Sequence, residues 1–151
     1  MVLLKEIDSE GFIIYTNNIS QKGKDMLSNP RASLLLYCPS LGRQLRVEGR
    51  VDQVSPEKSD AYFASRSRGS QLAAASSMQS RPLSSRNELM ERLQGIEAAN
   101  PGQVSRPASW GGWRLRPQRI ELWSDGSHRL HTRHSYTLQA SGKWHHTMQQ
   151  P

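Results

Sequence analysis

Apolar residues in this chain recur mostly at every second position, the period of a strand with one dry face. The clearest case is RQLRVEGRVDQV (43–54), where Leu45, Val47 and Val51 alternate with Gln44, Arg46, Glu48, Arg50 and Asp52. FIIYT (12–16) and ASLLLYC (32–38) are rich in branched and aromatic residues and predict two more strands. Later strands are predicted over 113–123, 129–136 and 143–149, joined by the turn-rich SDGS and ASGK. Pro117 has no N–H to give a ladder, so it is expected at a bulge or an edge. The opening, MVLLKEIDSEGF, enters a β-like run at once and reads like the middle of a domain.

Three helices are predicted between the strands. Ser20 caps one that runs to Leu27 and stops at NPR; Ser55, followed by Pro56 and Glu57, opens a second. Ser85 and Glu88 form a capping box for a third, which carries Leu89, Leu93 and Ile96 on one stripe and ends at NPG. The Ser- and Arg-rich stretch 65–86 reads on composition as a flexible loop. The pattern is that of a mainly β (α+β) protein, one domain over residues 1–151, with no internal repeat.

Composition narrows the partners. Twenty Lys and Arg against 13 Asp and Glu give a net charge of +7, so an anionic partner is expected: nucleic acid, an acidic surface or a phosphorylated small molecule. Cys38 is the single cysteine, which rules out an intramolecular disulfide, a zinc ribbon and a CxxC redox site, and fits a reducing, cytoplasmic setting. No apolar run approaches the ~18 residues of a membrane helix.

Three sets of side chains carry candidate chemistry. A helix starting at Ser20, with Lys22 in its first turn, offers free N–H groups and a full charge to a phosphate; the plainer reading is an ordinary cap beside an exposed lysine. Tyr62, Arg66 and Ser70, spaced by four, would line one face of a continuous helix and suit a phosphate ester; the plainer reading is a half-buried tyrosine near a solvated arginine. Arg129, His131 and Arg133 would share one face of a strand, with Leu130 and Thr132 on the other. His128, His131 and His134 also give an HxxHxxH pattern. On a strand that spacing sends successive rings to opposite faces, so no metal site is expected from it.

Six ordered blocks, VLLKEIDSEGFIIYTN, SQKGKDMLSNPRASLLLY, RQLRVEGRV, YFASRSRGSQLAAASSMQS, WGGWRLRPQRIELW and HRLHTR, together resemble the pyridoxine/pyridoxamine 5′-phosphate oxidase family over nearly the whole chain. The resemblance implies an FMN-binding split β-barrel with a few flanking helices, truncated at its N-terminus relative to the family, and a homodimer with FMN at the interface. It puts FMN contacts at Met1, Val2, Leu3, Leu4, Lys5, Tyr15, Thr16, Gln21, Lys22, Gln44, Gln79, Ser80, Trp123 and Arg133. Substrate contacts fall on Lys5, Tyr62, Arg66, Ser70, Arg129 and His131, the last two also handling the substrate's orientation and proton. The implied reaction is oxidation of pyridoxine or pyridoxamine 5′-phosphate to pyridoxal 5′-phosphate, with oxygen as acceptor and hydrogen peroxide as product. Within the blocks, Gln21 stands where arginine is usual and Thr132 where aspartate is usual. Two other readings stay open: a non-catalytic split-barrel flavin or ligand binder, and a basic nucleic-acid binder using Trp110, Trp113 and Trp123 as stacking platforms. The second is disfavoured because Glu48, Asp52 and Glu121 interrupt the basic strands.

Overall fold

The computed structural model describes residues 1–151. Seven antiparallel strands form one sheet: β1 (Leu4–Asp8), β2 (Gly11–Asn17), β3 (Arg31–Cys38), β4 (Arg43–Gln53), β5 (Trp110–Ser124), β6 (Thr132–Leu138) and β7 (Trp144–Gln149). The strand path is β1-β2-β5-β4-β3, with β6 on β5 and β7 on β6. Leu4 of β1 and Leu34 of β3 lie at opposite ends of that path, yet both pack on one core of Phe12, Met26, Val47, Val51, Trp113 and Leu115. The sheet is therefore curled into a barrel around this core.

The long strand β5 organises the molecule. Its first half pairs with β2 through Trp110–Leu115, its second half pairs with β6 through Arg119–Ser124, and β4 runs beside both halves. Pro117 stands between the halves, opposite Gly49, where the β4–β5 register slips. A proline costs nothing there, since the ladder is already broken. Gly49 is required by the same bulge, because a Cβ on it would lie 1.9 Å from the Arg116 carbonyl oxygen.

Four helices flank the sheet: α1 (Gln21–Ser28), α2 (Pro56–Ser65), α3 (Arg68–Ser76) and α4 (Arg86–Ala99). Ser20, Ser55 and Ser85 each cap their helix, as the sequence predicts. The capping box at α4 is displaced by one residue: Glu88 N–H donates to Ser85 Oγ, while the Glu88 carboxylate takes the N–H and hydroxyl of Ser84. The expected loop over 65–86 is corrected in its first half, which is α3. Its Leu72 is buried beside Phe63, Val104 and Trp110, and Gln71 donates to the Phe63 and Ala64 carbonyls at the end of α2. Composition alone misses an anchor supplied by another helix. No helix is long and apolar enough to cross a membrane.

Candidate functional site

A cavity of about 820 Å³ opens between the start of the chain, β2 and the α2–α3 corner. Lys5, Lys22 and Arg66 line it, and no carboxylate does. Such a cavity attracts anions. Tyr15 and Tyr62 stack at 3.9 Å between ring centroids and Trp110 continues the row, 5.4 Å from Tyr15, giving one wall a flat aromatic surface.

The backbone breaks where the anion-binding groups converge. Helix α2 ends at Ser65, Arg66 is extended, and α3 starts after Ser67, so Tyr62, Arg66 and Ser70 do not share one continuous helix as expected. They meet all the same, because the corner folds them into one cavity. The Arg66 guanidinium lies 4.9 Å from the Trp110 ring centre, and its Nη1 is buried with no hydrogen-bond partner. Burial lowers its pKa, the direction expected of a cation taken from water without a counter-ion. No side chain caps the first turn of α3, and the Ser67 hydroxyl bonds that of Ser70 at 2.9 Å. A guanidinium, a free helix start and two hydroxyls thus face one space, a donor set suited to a tetrahedral oxyanion. Ser67 and the α3 start escape the sequence reading, since a Ser-rich stretch gives no sign of where a helix begins.

On the opposite side of the cavity, Lys22 Nζ donates to Gln79 Oε1 at 2.5 Å and to Ser20 Oγ at 3.1 Å, and Thr16 Oγ1 approaches Gln79 Oε1 at 3.3 Å. Burial lowers the pKa of Lys22. The start of α1 is less open to an anion than expected, because fully buried Ser20 already accepts Gly23 N–H. Met1, Val2, Leu3, Lys5, Tyr15, Thr16, Lys22 and Gln79 all line the cavity. Leu4, Gln21 and Ser80 do not: Leu4 packs on the barrel core, Gln21 donates outward to Asp25 at 2.8 Å, and Ser80 occupies a turn with φ of 70°.

The remaining expected residues gather elsewhere. Gln44, Trp123 and Arg133 are direct neighbours across β4, β5 and β6, so they form one row on one face. Trp123 is thirteen residues along β5 from Trp110, which at ~3.3 Å per residue separates the row from the cavity by roughly 40 Å. Arg133 is held by buried Glu121, with Nε–Oε1 at 2.9 Å and Nη2–Oε2 at 3.1 Å, and its Nη1 donates to the Gln150 carbonyl. The pair lowers the pKa of Glu121 and raises that of Arg133.

The expected strand row of Arg129, His131 and Arg133 is not formed. Ser127–Arg129 is a 3-10 turn in which His128 and Arg129 have φ of 57° and 64°, and β6 begins only at Thr132. Arg129 is exposed on that turn. His131 packs on Trp123 with ring centres 4.6 Å apart, so it remains beside the row by a different route. Its Nδ1 lies 3.1 Å from Asp125 Oδ1 and 3.3 Å from Gly126 N. Gly126 N–H is already given to Asp125 at 3.0 Å, so the shorter contact has Nδ1–H donating to Asp125 and leaves Nε2 as an acceptor.

Comparison with known proteins fits this geometry. Residues 1–99 match the family model described as pyridoxamine 5′-phosphate oxidase, and residues 110–151 match the pyridoxine 5′-phosphate oxidase C-terminal dimerisation region. A pyridoxine/pyridoxamine 5′-phosphate oxidase of Gluconobacter oxydans is 47% identical over 152 residues, covering 100% of this chain and 76% of its own. One from Rubrobacter xylanophilus is 48% identical, covering 99% and 69%. Among solved structures, PhzG from Burkholderia lata, in complex with tetrahydrophenazine-1-carboxylic acid, superposes with a TM-score of 0.92 at 29% identity, covering 99% of this chain and 73% of its own. A pyridoxamine 5′-phosphate oxidase-related, FMN-binding protein of Nostoc punctiforme shares the fold, with a TM-score of 0.79 at 14% identity, covering 99% and 79%. With both segments matched and the split-barrel fold shared, the chain belongs to the pyridoxamine 5′-phosphate oxidase family.

Proposed function

We propose that this protein is an FMN-dependent oxidase that converts pyridoxine 5′-phosphate or pyridoxamine 5′-phosphate to pyridoxal 5′-phosphate as a homodimer. The observation that carries the reading is the cavity free of carboxylates, with the unpartnered, buried Arg66 Nη1 under an aromatic wall. A buried guanidinium nitrogen without a partner is costly unless an anion completes it. Arg66, Ser70 and Tyr62 hold the substrate phosphate. FMN fits the rest of the donor set: Lys22, Gln79 and Thr16 from one chain, and Gln44, Trp123 and Arg133 from the partner, since the two groups lie too far apart for one small ligand within a protomer.

FMN held there would supply two-electron oxidation of the substrate carbon with oxygen as final acceptor and hydrogen peroxide as product; with the amine substrate, water would then hydrolyse the imine and ammonia would leave. The chain's own residues bind, orient and move a proton. Lys5 of one chain and Arg129 of the other position the substrate, and His131 of that other chain, whose Nε2 is the ring's acceptor when Nδ1–H donates to Asp125, takes the proton of the substrate alcohol or amine. The stacked Tyr15, Tyr62 and Trp110 would offer a flat surface to a planar ring.

PhzG binds a flat carboxylic acid, and such a ligand could use the same guanidinium. Phosphate is favoured here because the α3 start, Ser67 and Ser70 provide more donors than two carboxylate oxygens require. The test is purification without added flavin, a visible spectrum, and peroxide release with pyridoxine 5′-phosphate against unphosphorylated pyridoxine. A yellow protein that turns over the phosphate ester far better is expected. Arg66→Ala should raise KM for the ester about ten- to a hundredfold, the loss of one charge-assisted hydrogen bond. Colourless protein that neither quenches FMN fluorescence nor releases peroxide would overturn the reading.

A further inference from the structure

The β6–β7 hairpin carries a side-chain cluster that the oxidase chemistry leaves unused. Its register sets His134 opposite Met148 and Tyr136 opposite His146, so two-residue periodicity puts all four side chains on one face. His145 and Thr147 point to the other. Across the diagonal, His134 Nδ1 and His146 Nε2 are 2.9 Å apart, their rings 5.1 Å between centroids, and Tyr136 packs on His146 at 4.9 Å. At this distance one ring nitrogen donates a proton to the other, the roles being set by the tautomer. Unlike His131, which has Asp125, this pair answers to no carboxylate in the ion-pair network.

We propose that His134 and His146 form a two-imidazole site for a divalent transition-metal ion, copper(II) being the best match, with the Met148 thioether beside it. Imidazole nitrogens bind such ions at ~2.0–2.1 Å, and two of them at a right angle place the nitrogens about 2.9 Å apart. That separation suits the tetragonal geometry of copper(II) better than a tetrahedral zinc site, and copper(II) also leads the affinity order for nitrogen ligands. Metal would replace the proton between the rings, and because His146 is exposed and His134 half-buried in the single chain, solvent or a group from the partner chain of the proposed homodimer would complete the coordination. The ion would clip β7, the outermost strand, to β6.

The experiment uses untagged, flavin-loaded full-length protein. Copper(II) is titrated in by calorimetry, and the bound ion is examined by electron paramagnetic resonance, which flavin colour does not obscure. Saturation at one ion per chain, with nitrogen couplings from two imidazoles, is expected. His134→Gln and His146→Gln should each weaken binding on the order of a hundredfold, since the second ligand no longer acts intramolecularly. His145→Gln, on the same strand but the opposite face, should bind like the parent. Unchanged affinity in both pair variants, an equal loss in His145→Gln, or a wild-type spectrum without imidazole couplings would each overturn the site. The last readout does not depend on any variant folding, and none of the three depends on oxidase activity.

Discussion

Glu121 and Arg133 link the stability of the barrel to the FMN contact proposed for Arg133. Glu121 is 8% exposed and its carboxylate meets the guanidinium through two hydrogen bonds, with Arg119 Nη2 a further 3.8 Å from Oε2. Its folded pKa lies below the unfolded value, so the pair's contribution is complete above the unfolded pKa and is lost as pH falls through the folded one. Glu121→Gln should therefore cost about 1 to 2 kcal/mol near neutrality, reduced from the value for a fully buried pair because Arg133 is partly exposed, and the cost should shrink in acid. Chemical denaturation across the acid range measures this, and a pH-independent difference would show that packing, not the ion pair, is what the substitution removes. The same variant should weaken FMN binding, because Arg133 loses the group that aims it. At this scale the sequence is legible in part. Tyr62, Arg66 and Lys22 line the cavity as the family resemblance implies, but Tyr62 and Arg66 do so at a helix break and not along one helix face as their spacing suggests. The alternation of Arg129, His131 and Arg133 misleads, because a left-handed turn at His128 and Arg129 delays the strand.

Among the elements, β5 exceeds what its sequence discloses. The strand periodicity and Pro117 are both visible in WRLRPQRIELW, yet the exchange of β2 for β6 at that proline depends on segments nearly a hundred residues apart. Register is a long-range property, and so the Gln44–Trp123–Arg133 row cannot be read from spacing along any one strand. The bulge gives a direct check. Gly49→Ala places a methyl group against the Arg116 carbonyl, and backbone cannot rotate away as a side chain would. A loss of about 1 to 3 kcal/mol is expected in urea unfolding, the range for overpacking in a well-packed site. Gly69→Ala, with open space around the added carbon, is the comparison and should change stability little. Equal effects at both positions would mean that the close approach at the bulge is relieved without cost.

At the scale of the whole molecule, the decisive feature is the distance between the cavity and the Trp123 row. Residues proposed for the same cofactor gather near both ends of β5, and one chain cannot bring them together. In the proposed two-fold dimer the cavity of each chain would face the row of the other, giving two equivalent composite sites. This predicts complementation between defective chains. Arg66→Ala disables the cavity and Arg133→Ala disables the row, so each homodimer carries two damaged sites. In a mixed dimer, one site collects both substitutions and the other collects neither. With random exchange, half the dimers are mixed and half their sites are intact, so the mixture should recover about a quarter of wild-type activity from two poorly active parents. Exchange is followed by a mass difference between the chains, and activity by peroxide release with excess FMN. Mixed dimers that form without any gain in activity would place both residues in the same site of one chain, and the shared-site reading would fall.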